Sequence, residues 1–254
     1  MNRVLRPQRL VSQAVSDAAR LVAPSGIGLD SPGVRLRMVE RLRRGGRLDE
    51  AVLQAMERVP RHRFVDSALA PQAYEDTALP IGHGQTISKP SVVARMLSLL
   101  REGQGAQQRG GLGRTLEIGT GCGYQAAVLA GLASELVSVE RILALHQGAL
   151  QRLAALQPEL GWARTPRLLH ADGQSVDAWR GPFDSIVSAA GGDDIPAAWL
   201  QALAPGGRLV APTQQAGGGQ ALTVVDHVLS GGRSEWVRQT VEGVHFVPLR
   251  SGLV

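Results

Sequence analysis

Three glycines at alternate positions, Gly119, Gly121 and Gly123, follow the short apolar run 115–118 and precede a helix-like run, 124–132. Strand, glycine turn and helix in that order make a nucleotide site at the carboxyl end of a parallel sheet's first strand. Glycine permits positive φ and a close backbone approach that a Cβ would block. The spacing is neither the G-x-G-x-x-G of a dinucleotide site nor a phosphate loop ending in Gly-Lys-Ser/Thr. Glu117, two residues ahead of the first glycine, would repel a pyrophosphate. It suits a cationic cofactor, and S-adenosylmethionine carries both a sulfonium and an ammonium. Glu140 closes the next strand, 136–139, about 20 positions past the glycines, where a carboxylate can accept both ribose hydroxyls. Asp172 and Gly173 follow a third short strand, where such folds often bind the adenine edge. A lone glycine turn is often a linker and a Glu after a strand is often a cap. Order and spacing together select cofactor contacts at Glu117, Gly119, Thr120, Gly121, Gly123, Glu140, Asp172 and Gly173.

A second stretch able to do chemistry lies upstream, in Leu79-Pro80-Ile81-Gly82-His83-Gly84-Gln85-Thr86-Ile87-Ser88-Lys89-Pro90. Two glycines and two prolines bracket a polar centre, and a helix over 91–100 begins directly after it. A loop held between a helix and a sheet is where function concentrates; on local grounds Thr86 and Ser88 could equally cap that helix. His62, His83, His170 and His245 have no metal-ligand spacing, so no metal is expected. Ser88 lacks a local nucleophile elbow, so no Ser-His-Asp chemistry is supported.

The elements that must position these residues read as a doubly wound, Rossmann-like α/β sheet. Helices are expected over 34–44 and over 49–58, the latter capped by Asp49, and residues 101–113 form a Gly/Gln-rich connector. Strands then alternate with helices: strand 115–118, helix 124–132, strand 136–139, helix 141–156, strands 167–170 and 183–187, helix 196–203 and strand 207–211. Residues 221–228 and 235–241 close the sheet as an antiparallel edge hairpin. The domain reading is a flexible extension over 1–32, N-terminal helices with a substrate and cofactor lid over 33–112, and an S-adenosylmethionine-binding domain over 113–254.

Whole-chain properties bound the partners. With 44% hydrophobic and 4% aromatic residues in 254, the core must be mostly Leu, Val, Ile and Ala. No apolar run reaches the ~20 residues of a membrane span, and arginines interrupt the first thirty residues, unlike a secretory signal. The lone Cys122 excludes an internal disulfide and fits a reducing cytoplasm; at a helix N-terminus its thiol is expected to have a lowered pKa. The net charge of +5 sits wholly in residues 1–50, where ten Arg face five acids. Such mixing reads as a solvated face, and nucleic acid is not an expected partner. No large apolar stripe is left over, so a monomer is expected.

Several motifs together resemble the protein-L-isoaspartate O-methyltransferase family over about residues 34–254. They are Val59-Pro60-Arg61 with Phe64-Val65-Asp66, Leu79-Pro80-Ile81-Gly82 through Gln85-Thr86-Ile87-Ser88, Leu116-Glu117-Ile118-Gly119-Thr120-Gly121, Gly123-Tyr124-Gln125, Ser138-Val139-Glu140-Arg141 and Phe246-Val247-Pro248-Leu249. The resemblance implies S-adenosylmethionine as methyl donor, S-adenosylhomocysteine as product, and isoaspartyl-containing proteins and peptides as substrates. It implies Ser88 as the catalytic residue and Gln85, Thr86 and Ile87 as lining of the cofactor pocket. Departures are the extension before residue 34, Cys122 where Ser is common, and Gly191-Gly192-Asp193-Asp194 in the substrate-side loop.

The implied chemistry suits a sequence with no obvious base. A carboxylate of pKa ~4 is already ionised at neutral pH. Anion and sulfonium neutralise each other as the methyl moves, so alignment and exclusion of water carry the acceleration. The alternatives are a nucleic-acid methyltransferase using the basic N-terminal arm and a cofactor-binding protein without catalysis. Against the first, Val187-Ser188-Ala189-Ala190 occupies the place where base amino-methylases carry an Asn/Asp-Pro-Pro-Tyr/Phe run.

Overall fold

The computed structural model describes residues 32–175 and 179–254. The expected flexible extension therefore lies, except for Pro32, outside the described residues. The first helix, expected over 34–44, begins two residues earlier, as α1 (Pro32–Gly45). Proline is well suited to a helix's first turn, where its missing N–H has no partner to lose. Helix α2 (Glu50–Arg58) is capped by Asp49, whose carboxylate accepts the Ala51 and Val52 N–H groups at 3.0 and 3.2 Å.

The stretch read as a loop before residue 90 is a small antiparallel hairpin, β1 (Leu79–Gly82) and β2 (Gln85–Ile87). His83 and Gly84 join them, with φ of 53° and 67°. Two successive positive φ values fit a type I′ connection. Helix α3 (Pro90–Arg101) follows, and neither Thr86 nor Ser88 caps it: the N-cap is Lys89, which makes no side-chain cap bond. That role falls to Asp76, which accepts from the Ser91 N–H and hydroxyl at 2.8 Å each. The supposed connector contains a short helix, α4 (Gln104–Arg109), ended by Gly110 at φ 70°.

The rest alternates as expected: β3 (Arg114–Ile118), α5 (Tyr124–Ala130), β4 (Glu135–Glu140), α6 (Leu143–Leu160), β5 (Arg167–His170), β6 (Phe183–Ser188), α7 (Ala197–Ala202) and β7 (Leu203–Gln214). Helix α6 runs past the predicted stop and tolerates Pro158 in its last turn. There the proline removes one hydrogen bond near an end that is already fraying. The long strands β8 (Gln220–Ser230) and β9 (Arg233–Val244) complete a seven-stranded sheet of order β5-β4-β3-β6-β7-β8-β9. Strands β3 to β7 pair in parallel, and β8 and β9 are antiparallel.

Alternating residues feed the two faces, as the period-two geometry of strands requires. Val187, Val210 and Val224 join the core under α1, α2, α3 and α5, whereas Ile186, Leu209 and Val225 pack against Trp199 on the opposite face. One cluster runs from Met38 to Phe246. The N-terminal helices and the sheet therefore share a core. Strand order reverses on either side of β3, and the carboxyl end of such a switch point is where open α/β sheets bind ligands. Among the described residues no helix is long and apolar enough to cross a membrane.

Candidate functional site

The reversal at β3 opens a cleft whose floor is the glycine turn and whose roof is the β1–β2 hairpin. Gly119, Gly121 and Gly123 all take positive φ, 89°, 55° and 93°. At Gly119 a Cβ would rest 3.6 Å from that of Ala189. Space would allow a side chain there, so the backbone angle selects glycine. A Cβ on Gly121 would press to 3.2 Å of the Ile81 Cδ1 atom, so this glycine also lets the hairpin sit close over the turn.

Two carboxylates converge on the turn in different surroundings. Glu140 is buried; its oxygens accept the Gly121 N–H at 2.8 Å and the Ile142 N–H at 2.9 Å. One backbone donor per oxygen leaves further lone pairs toward the cleft. Glu117 is fully buried beneath the turn, where it accepts from Gln125 Nε2 at 3.1 Å and the Ser138 hydroxyl at 2.5 Å. Ser138 is joined in turn to the Thr120 hydroxyl at 2.6 Å. Loss of water pushes the Glu117 carboxyl up to about 8; the hydrogen bonds from Ser138 and Gln125 oppose this without reversing it, and the nearby Glu140 charge adds to the rise. Cys122, expected to have a lowered pKa, departs from expectation in the same way: it is buried, and desolvation raises its thiol pKa.

The hairpin is locked from behind by Arg61, a residue of the Val59-Pro60-Arg61 motif to which sequence reasoning gave no role. Arg61 is 0% exposed; its Nε donates to the Ala73 carbonyl and its Nη2 to the Ser88 carbonyl, both at 2.7 Å. Its guanidinium lies 4.7 Å from the centre of the Tyr124 ring, and burial lowers its pKa. Replacing Arg61 with Met should strand two buried carbonyls, each worth ~1–3 kcal/mol, partly offset by no longer burying a charge. A net loss of about 2–4 kcal/mol, or roughly 5–15 °C in Tm, is expected by scanning calorimetry. An unchanged melting curve would remove Arg61 as the anchor of Ser88.

A second groove adjoins the first cleft and shares Thr86, Ser88, Ala189 and Val247 with it; Lys89, Gln220, His245 and Phe246 extend it. Among the described residues the Ser88 hydroxyl makes no hydrogen bond, although the residue lies between both spaces. The chain's last stretch walls the first cleft through Val247, Pro248, Leu249 and Arg250. It is pinned where the Gly252 N–H meets the Asp172 carboxylate at 2.7 Å and the Val254 N–H meets the Arg141 carbonyl at 2.9 Å. The departing loop at residues 191–194 is tied into the same wall: Gly191 N–H donates to the Val247 carbonyl and Leu249 N–H to the Gly191 carbonyl, both at 2.8 Å.

Of the residues singled out in the sequence, Gln85, Thr86, Ile87, Ser88, Gly119, Thr120, Gly121, Glu140 and Gly173 line this one cleft. Glu117, Gly123 and Asp172 stand behind it, the first through Gln125 and Ser138, the last through the chain's terminal stretch.

The model of the family described as Protein-L-isoaspartate(D-aspartate) O-methyltransferase (PCMT) matches residues 35–253. The chain belongs to this family. It is 56% identical over 248 residues to the protein-L-isoaspartate O-methyltransferase of Leptothrix cholodnii, covering 97% of this chain and 84% of that one. The corresponding protein of Methylibium petroleiphilum is 53% identical over 250 residues, 98% of this chain and 89% of that one. Both matches therefore extend through most of the stretch ahead of the family model's start. A protein-L-isoaspartate O-methyltransferase structure from Plasmodium falciparum, in complex with S-adenosyl-L-homocysteine, superposes with a TM-score of 0.68 at 25% identity, over 84% of this chain and 97% of that one. Protein-L-isoaspartate O-methyltransferase membership agrees with the fold built on the seven-stranded sheet.

Proposed function

We propose that the first cleft holds S-adenosylmethionine and that the adjoining groove receives an isoaspartyl segment of a damaged protein or peptide. The activity is S-adenosylmethionine-dependent methyl transfer to the free carboxylate of L-isoaspartyl residues, a protein-repair reaction. What supports the site assignment is Ser88, which lines both spaces and whose hydroxyl has no hydrogen-bond partner among the described residues.

The residues present fit the donor. Glu140 offers lone pairs suited to ribose hydroxyls, Gly119 and Gly121 let backbone approach the ligand, and Ile118, Val139 and Ile142 give an apolar lining. Gln85, Thr86 and Ile87 close over it from the hairpin, with Thr120 and Gly173 on the floor. Glu117, Gly123 and Asp172 act from behind, holding that floor and the terminal stretch. When bound, S-adenosylmethionine supplies an electrophilic methyl group. Ser88 donates a hydrogen bond that orients the substrate carboxylate and is not itself a nucleophile. The carboxylate arrives ionised, so no residue need take its proton, and the hairpin's task is to exclude water.

In this reading the protein works as a monomer, supported by charged Arg233, Glu235 and Arg238 along the exposed edge strand β9. It works in the cytoplasm, where the single buried thiol of Cys122 stays reduced. The test is transfer of a labelled methyl group to an isoaspartyl peptide and to its aspartyl twin. Label in the first alone is expected. Cofactor binding without transfer to either, or transfer to nucleic acid with a steep salt dependence, would overturn the reading.

A further inference from the structure

The groove beside Ser88 carries an unbalanced charge. None of the residues that line it is acidic, and Lys89, the chain's only lysine, is one of them. Lys89 is exposed and makes no ion pair among the described residues; Glu242, next to the groove-lining Gly243, is paired with Arg95 at 2.8 Å, and Asp76 accepts from Ser91 at the start of α3. His245 adds further donor capacity on the same wall. Lys89 is also the residue directly after Ser88, so its backbone position is fixed by the same Arg61 contact that holds the Ser88 carbonyl. It is the N-cap of α3 by backbone position alone, since an ammonium has no lone pair to offer that helix's N–H groups.

We propose that Lys89 makes this groove select isoaspartyl sites flanked by an anionic residue, so that the substrate class is damaged sites in acidic sequence. The inference rests on the reading that the groove receives the isoaspartyl segment. A substrate carboxylate has to enter beside Ser88, and an adjacent residue in an extended peptide then passes within a few ångströms of the lysine side chain. An exposed pair of this kind changes specificity by a small factor that salt screens.

The experiment measures kcat/KM for isoaspartyl peptides identical except for Glu, Gln or Lys placed in turn before and after the isoaspartate. The full chain is compared with its Lys89→Gln and Lys89→Glu variants. Glu is expected to exceed Gln by about two- to fivefold at one of the two positions, with the ratio shrinking as salt rises to roughly 0.5 M. The ratio should fall to one in Lys89→Gln and invert in Lys89→Glu. A ratio unchanged by either substitution, or a wild-type preference for Lys, overturns the proposal while leaving methyl transfer intact. Failure to methylate any of the peptides overturns the functional reading beneath it.

Discussion

Ser88→Ala should lower kcat on an isoaspartyl peptide by about a hundredfold or more, while the affinity for S-adenosylhomocysteine stays within roughly threefold. The size follows from what misplacing the reacting oxygen by about 1 Å costs in an aligned displacement, ~10²-fold in rate. The asymmetry follows from geometry. The Ser88 carbonyl, and with it the backbone of the hairpin's end, is held by Arg61 whatever the side chain, and the hydroxyl makes no hydrogen bond with the other described residues. Its removal should therefore leave the fold and the cofactor side of the cleft in place and deprive only the incoming carboxylate of its donor. Single-turnover rates with calorimetric titration of the product nucleoside separate the two quantities. Equal losses in both would mean that Ser88 shapes the cofactor pocket instead.

The second large effect concerns stability and pH. Glu117 titrates at about 8 in the folded protein and close to the ordinary 4.5 when unfolded. Between those values the folded chain retains a proton that the unfolded chain has released, so raising pH favours unfolding. The stability is fully present below about pH 4.5 and is lost as pH climbs through 8, at ~1.4 kcal/mol per unit from this group. Glu117→Gln keeps the shape and can still bond to Gln125 and Ser138, but it has no proton to release. The variant should match the parent near pH 5 and exceed it by on the order of 4 kcal/mol at pH 8, roughly 10 °C in Tm. Melting curves of ligand-free protein across that range decide the matter; parallel curves for parent and variant would show that the Glu117 carboxyl is ionised in the folded state.

What could be read from the sequence was what neighbouring residues encode. Alternation of apolar strands and helices gave the sheet, and three glycines at alternate positions marked the turn at β3, because these are local demands on φ and on burial. The hairpin β1–β2 was missed because strands of four and three residues leave almost no periodic signal. Helix α4 was missed because Gly105 and the glutamines Gln104, Gln107 and Gln108 look like a linker, although Gly110 just beyond is a usual helix stop. Long-range partners had no local signature at all. Arg61 reaches Ser88 across 27 positions, Asp76 caps α3 across 15, and Gly252 meets Asp172 across 80. The burial that raises the Glu117 and Cys122 pKa values likewise depends on what the rest of the chain stacks over them.

The bonds joining Gly191 to Val247 and Leu249 make the substrate-side loop and the cofactor-side terminal wall a single mechanical piece. Two ligands that each steady the same piece are thermodynamically coupled. By reciprocity, whatever factor the methyl donor adds to the grip on a damaged peptide, the peptide returns to the donor. Once the methyl has moved, the spent donor has lost its positive charge and the chain's carboxylate has become a neutral ester, and departure of either weakens the hold on the other.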